Sequence, residues 1–239
     1  MQHSLKALLG STMYATDGDL GKVDEFYFDD ACSAIRYLVV NTGSPLLGRR
    51  VLISVVALET PDWNLHTIPV HLSSDQVRKS PTINTERPVH RQQEIDLHKH
   101  YVWPHYWGTG FTSTPRNQLY PLCAFSLTDT TEPERPTVDS HLCSTQQVTG
   151  YHIHATDGDI GHVDDFIIDD NNWTIRFLVV NTTNMVSEKR TVISHAYVQG
   201  VRWSSDSVYL NISKKAVQKS PAFNPTKILD RDDAGNFLW

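Results

Sequence analysis

No stretch of the 239-residue chain holds the roughly 20 consecutive apolar residues that a membrane-spanning helix needs. A run of lysines and arginines is also missing. With 21 basic against 27 acidic side chains the formal net charge is −6, which argues against a nucleic-acid partner, since that binding rests on many cationic contacts to phosphate. There is no phosphate-binding glycine loop, no G-x-S-x-G and no H-E-x-x-H, so no catalytic residue is named and no enzyme is expected. The only cysteines, Cys32, Cys123 and Cys143, lack C-x-x-C spacing. They are expected as reduced thiols of a cytoplasmic protein, with a Cys123–Cys143 bridge as the alternative. The opening MQHSLKALLG, with one Lys and a short apolar run, reads as neither a secretory signal nor an anchor.

What the chain has in quantity is repetition. ATDGDLGKVDEFYFDD begins at Ala15 and ATDGDIGHVDDFIIDD at Ala155. The offset of 140 then holds without insertion: Ile35-Arg36 matches Ile175-Arg176, Leu38 to Thr42 matches Leu178 to Thr182, and Lys79-Ser80-Pro81 matches Lys219-Ser220-Pro221. About 28 of the 74 positions from Ser11 to Asn84 are identical in the second copy. A period this long does not suit a solenoid, whose units run roughly 20 to 50 residues. It suits two copies of one small domain: residues 1–87, a linking region over 88–147, and residues 148–239.

Each copy reads as strands. Asp17-Gly18 and Asp157-Gly158 are hairpin signals, because glycine supplies the positive φ of a tight turn, and Gly21 and Gly161 open the next strand. Val23 and Phe26 have opposite parity, so either one points outward or a β-bulge lies between them; the same slip at Val163 and Phe166 favours the bulge. Ile35 to Asn41 is apolar on both parities and so needs cover on both sides. Arg36 and Arg176 are read as structural partners of Asp24 and Asp164 or of Asp29 and Asp169. Ser54 and Ser194 are read as caps, Trp63 and Trp203 as core or end plugs, and Trp63–His66 with Ile68–His71 as a final strand pair. Ser73 is a predicted N-cap for a short helix to Lys79 that Pro81 stops.

Between the copies, PVHRQQEIDLHKH from Pro88 to His100 predicts a helix with Ile95 and Val102 on one face and Leu97 and Tyr101 beside it. The aromatic run YVWPHYWGTG follows. Trp103, Tyr106 and Trp107 are candidate contacts to a partner protein, since such aromatics left bare invite aggregation. From Thr109 to Val148 the composition is that of a linker.

The twelve histidines raise the question of a metal. His98, His100 and His105 are the candidate ligands, but no third ligand is fixed by spacing. The twelve carboxylates of the two acidic phrases lack calcium-loop spacing. No metal and no cofactor are therefore assigned.

The DG turn, the G-x-V-x-D-F strand entry (Gly21 to Phe26), Asp29-Asp30, and Ile35 to Gly43 together resemble the PRC-barrel family, named for the cytoplasmic domain of the photosynthetic reaction-centre H subunit. The second copy departs from the pattern at Thr183, where the glycine is missing. LLGRRVLIS, the closing KSP and the RPVHRQQE…YVWPHYWG segment look like bacterial proteins with two such barrels in tandem. The resemblance implies an all-β fold: two small barrels of about six short strands each, with short helices and a partly irregular linker. Structural-motif positions would be Asp17, Gly18, Gly21, Arg36, Asp157, Gly158, Gly161 and Arg176. Relatives dock on proteins, one on a membrane complex and one on a ribosomal protein. The expectation is therefore a non-enzymatic docking or assembly module with an unidentified protein partner, compatible with a homodimer or with peripheral attachment to a membrane complex. The alternatives are a metal- or small-ligand-binding stress protein and an unrecognised enzyme.

Overall fold

The computed structural model describes residues 1–43, 49–81, 89–106, 142–182, 189–220 and 222–223. Strands dominate them, in keeping with the all-β expectation. In chain order the elements are β1 (Gln2–Ser4), β2 (Thr12–Ala15), β3 (Gly18–Asp29), β4 (Ala34–Asn41), β5 (Arg50–Ser54), β6 (Thr67–Pro69), α1 (Ser74–Arg78), α2 (Arg91–Tyr101), β7 (Leu142–Ser144), α3 (Thr145–Val148), β8 (His152–Ala155), β9 (Gly158–Asp169), β10 (Thr174–Asn181), β11 (Arg190–Ser194), β12 (Val198–Arg202), β13 (Ser207–Leu210) and α4 (Lys214–Lys219). They form two compact units, one of residues 9–143 and one of residues 1–8 with 144–239.

In the unit of residues 9–143, β3 pairs antiparallel with β2 and β4, β4 with β5, and β2 lies parallel to β6. The expected bulge is present. Val23 faces Val40 and Glu25 faces Val39, leaving Asp24 extra. The slip turns both Val23 (1% exposed) and Phe26 (0%) into the core, where the parity of a regular strand would have put one of them outside. A second bulge separates Tyr27↔Tyr37 from Phe28↔Ile35 and makes Arg36 the extra residue. One face of β4 then packs Leu38 and Val40 with Phe26, Val23, Ile53 and Val51, and the other presents Tyr37 and Val39 beside Tyr27 and Leu52. All of these are buried, as a strand apolar on both parities requires.

The unit of residues 1–8 and 144–239 repeats this plan, with β9 pairing β8 and β10, β10 pairing β11, and β8 parallel to β13. Both bulges recur, at Asp164 and Arg176. β1 runs antiparallel along β9, with Ser4 opposite Ile167. The counterpart of β1 at offset 140 is β7, and β7 pairs with β3. Each copy of the repeat is thus completed by the short strand that precedes the other. The predicted boundaries at 87 and 148 do not anticipate this. Nor does the linker reading of residues up to Val148, whose last seven residues are β7 and α3.

Local chemistry explains the joints. The turn proper is Thr16-Asp17, one residue earlier than the Asp-Gly signal suggests, and Gly18 opens β3 at φ +148°. A Cβ on Gly21 would sit 2.0 Å from the Asn41 carbonyl oxygen, and one on Gly161 would sit 1.9 Å from that of Asn181. Asp17 Oδ1 accepts from the Ser74 backbone N–H at 2.8 Å, and Asp157 Oδ1 accepts from that of Lys214 at 2.7 Å. Each acidic turn therefore caps the start of a helix. Ser73 caps α1 as predicted, in a capping box with Gln76. Ser54 and Ser194 cap the short 3₁₀ turns that follow them.

Other expectations are corrected. Trp63–His66 is a turn rather than a strand, with backbone pairing at Asp62↔Thr67 and Leu58↔Val70 around it. Trp63 and Trp203 are half-buried, which rules out only the core half of their core-or-end-plug reading. Cys32 is disulfide-bonded and Cys143 is a buried free thiol. Among the described residues no helix is long and apolar enough to cross a membrane.

Candidate functional site

Among the described residues, a group of buried polar side chains lies in the unit of residues 9–143, where α2 meets β4. The predicted helix forms, but on a different face. Glu94, Leu97, His98 and Tyr101 are its buried residues, at the i, i+3, i+4, i+7 spacing of one face. Ile95 is only half-buried, and Val102, expected beside it, is 87% exposed in a left-handed C-cap.

Tyr37 (0% exposed) reaches from β4 to both polar members of that face. Its hydroxyl oxygen lies 3.1 Å from Glu94 Oε1 and 2.8 Å from His98 Nε2. His98 Nδ1 faces the Pro104 carbonyl at 3.0 Å; a carbonyl only accepts, so Nδ1 carries a proton. Glu94 Oε2 accepts from Arg91 Nη1 at 2.6 Å, and Oε1 also accepts from the Tyr106 hydroxyl. The Tyr106 ring is covered by the Arg36 guanidinium, 4.0 Å from its centroid. Arg36 is 1% exposed and pairs with Asp29 Oδ2 at 3.2 Å, and its Nη2 lies 3.1 Å from Cys32 Sγ. As the extra residue of a bulge, Arg36 can turn to the same side as Tyr37, which lets one strand supply both a cation and a phenol.

Burial shapes the electrostatics. It pushes the Glu94 carboxyl above its usual range, against the pull of Tyr106, Arg91 and Tyr37. Burial, with His105 and Arg91 adding repulsion, brings the His98 imidazole down to about 4. Burial and the neighbouring Glu94 carboxyl push the Tyr106 phenol up. Burial alone would lower Arg91, but Glu94 and Tyr106 hold it above its ordinary value. Next to Tyr37, burial and Glu25 push Tyr27 up to about 12.

The residues singled out from sequence are placed as follows. Trp103 stacks on Tyr101 at 4.2 Å and meets the His98 ring edge-on at 5.8 Å. Tyr106 is anchored to Glu94 and Arg36. Trp107 lies outside the described residues. Of the three candidate metal ligands, His98 has both ring nitrogens committed to Tyr37 and Pro104, His105 stacks on it at 5.4 Å, and His100 Nε2 faces the Gln76 carbonyl at 2.9 Å. No group of three His, Cys, Asp or Glu side chains among the described residues could hold a metal. Arg36 takes the expected partner Asp29, but Asp24 pairs with Arg50 and Asp164 with Arg190 and Lys6. Arg176 is exposed, and Asp169 accepts from Asn171. Sequence reasoning missed Glu94 and Arg91 because charged residues on a helix ordinarily face water, and Tyr37 because it counts as one more apolar residue of a strand apolar on both parities. The available signal was Glu94 and His98 at the spacing of Leu97 and Tyr101.

The counterpart of Tyr37 is Phe177, which clusters with Ile167, Val179 and Val192, with Phe223 packed against them. The second copy therefore has no hydroxyl at this position. Neither a protein-family model nor a curated protein sequence matches the chain.

Proposed function

We propose that the chain is a non-enzymatic docking or assembly protein, built from two PRC-type barrels in tandem, that recognises a protein partner through the aromatic segment after α2. One observation carries this reading. Two copies share the same core, bulges and helix caps, yet at the Arg36/Tyr37 position they differ in what surrounds them. Arg36 is 1% exposed beneath the α2 segment, whereas Arg176 is exposed. A scaffold kept constant while its decoration changes suits recognition better than one shared chemistry. The titratable side chains of the cluster are occupied in holding α2 to β4, which also fits a structural role for them.

The contact patch in this reading is Trp103, half-buried, with the exposed Val102 beside it; Tyr106 and Trp107 complete the candidates. The cytoplasmic placement drew on reduced cysteines. The Cys32 disulfide withdraws that support. The test is affinity capture from native extract with the wild-type chain and a Trp103→Ala variant shown by circular dichroism to be folded. A protein enriched with the first and lost with the second supports docking. Identical captured sets would sink it.

A further inference from the structure

We propose that the second copy binds one divalent metal ion of the zinc class on the outer surface of its sheet, held by the imidazoles of His152 and His162 and the side-chain oxygen of Asn181. Register supplies the grouping. His152 of β8 stands directly opposite His162 of β9, and His162 directly opposite Asn181 of β10. Residues opposite one another in antiparallel strands project from the same face, so three adjacent strands set the three side chains in one row. Their neighbours Ile153, Val163 and Val180 are 0% exposed and fill the core, whereas His152 is exposed and His162 half-buried.

The two histidines form the closer kind of cross-strand pair. The His152 backbone N–H donates away from β9, to the Asp206 carbonyl at 2.9 Å, while the bond to β9 comes one residue earlier, from the Val163 N–H to the Tyr151 carbonyl at 3.0 Å. In such a non-hydrogen-bonded pair the Cα atoms lie about 4.5 Å apart. Side-chain rotation alone can turn both imidazoles onto one ion. Among the described residues no hydrogen bond, ion pair or ring contact engages either ring.

Asn181 is the independent observation. Its side-chain oxygen is buried and has no hydrogen-bond partner among the described residues. The first-copy counterpart, Asn41, accepts from the Gly43 N–H at 3.3 Å. A buried acceptor without a partner is costly, and an ion shared with the imidazoles satisfies it. The first copy also places a cation on this row. Lys22 stands at the His162 position and donates to the Gly10 carbonyl at 3.3 Å, with Thr12 at the His152 position. Arg190, next in the row beyond Asn181, pairs with Asp164 at 3.1 Å, as Lys6 does at 2.7 Å. Two nitrogens and one amide oxygen suit Zn²⁺ better than Mg²⁺ or Ca²⁺, which take oxygen ligands, and water completes the coordination.

The test uses the whole untagged chain, purified through chelator, with Zn²⁺ as the probe. Calorimetric titration should show a tightest site of one ion per chain. His152→Thr and His162→Lys, which install the residues of the first copy, should each weaken that site about a hundredfold, the loss of one arm of a chelate. Asn181→Ala should weaken it about tenfold. Saturating Zn²⁺ is also expected to slow hydrogen exchange in β8 and β9 and to leave β2 and β3 unchanged, because the ion ties together only the first pair. Wild-type affinity in any of the three variants, each shown by circular dichroism to be folded, overturns the proposal, and so does Zn²⁺ that leaves β8 and β9 unprotected. If Asn181→Ala fails to fold, Asn181→Asp takes its place. Its added charge is expected to tighten binding about tenfold, and an unchanged affinity is equally fatal.

Discussion

The guanidinium of Arg36 stacks 4.0 Å from the centre of the Tyr106 ring, although 70 residues of chain separate them. The same Ile-Arg dipeptide stands in the second copy, where Arg176 is exposed. Cover, not sequence, decides what the arginine does. Removing Arg36 leaves the buried Asp29 without its cation and Tyr106 without its lid. Arg36→Met is therefore expected to lower unfolding stability by about 3 kcal/mol, and Arg176→Met to stay within about 0.5 kcal/mol of wild type. Urea melts of both variants check this, and equal losses would refute the difference in environment.

Gly21 illustrates a steric requirement that is independent of that cover. A methyl group there would meet the Asn41 carbonyl at 2.0 Å, whereas one on Gly10 has nothing within 4 Å. Both residues have positive φ, +133° and +77°. Gly10→Ala is expected to cost about 1 kcal/mol from backbone strain alone. Gly21→Ala adds displacement of the neighbouring strand and should cost about 3 kcal/mol or more. Thermal denaturation of the two variants distinguishes them.

The cysteines give a count. With Cys32 bridged and Cys143 free, protein denatured without reductant should expose one titratable thiol, and three after reduction. Three thiols before reduction would restore the reduced-cysteine reading, and with it a reducing compartment.

Much of this arrangement was legible from local pattern. The parity slip between Val23 and Phe26 could be read as a bulge because burial on a sheet face is binary, and Ser73 announced α1 because few residues satisfy an N-terminal N–H. Other features had no local signal. β1 and β7 are three residues long, too short to show any period. Residues 1–10 share little with 141–150 beyond Ser4/Ser144 and Gly10/Gly150. Glu94 and His98 read as a solvated helix face because no one-dimensional pattern records that Tyr37 waits opposite them.

The helix caps bring acid sensitivity. Hydrogen bonds from the Ser74 backbone and side chain hold the Asp17 carboxyl below its ordinary range. A carboxyl whose pKa is depressed on folding stabilises the fold above its unfolded pKa, and that contribution disappears as pH falls through the lower folded value. The melting-temperature gap between wild type and Asp17→Ala should therefore be open at neutral pH and narrow between about pH 5 and about pH 2. A gap constant over that range would show that the charge of Asp17 contributes nothing.

The first eight residues should stabilise the distant copy rather than the one they precede. Along β9, Leu5 N–H donates to the Phe166 carbonyl at 2.9 Å, Lys6 N–H donates to Asp165 Oδ1 at 3.2 Å, and the Ser4 hydroxyl donates to Asp165 Oδ2. Leu5 and Leu8 are 3% and 1% exposed, which is worth about 3–5 kcal/mol between them as an upper estimate. Burial already pushes the Asp165 carboxyl up, against the donors Ser4, Phe166 and Lys6, so losing two of them leaves a poorly satisfied acid in the interior. A chain lacking residues 1–8 is therefore expected to lose hydrogen-exchange protection in β9 and β10 while β3 and β4 keep theirs. A synthetic peptide of those eight residues, added in excess, should restore it by mass action. If β3 and β4 lost protection first, the first eight residues would belong energetically with the copy they precede.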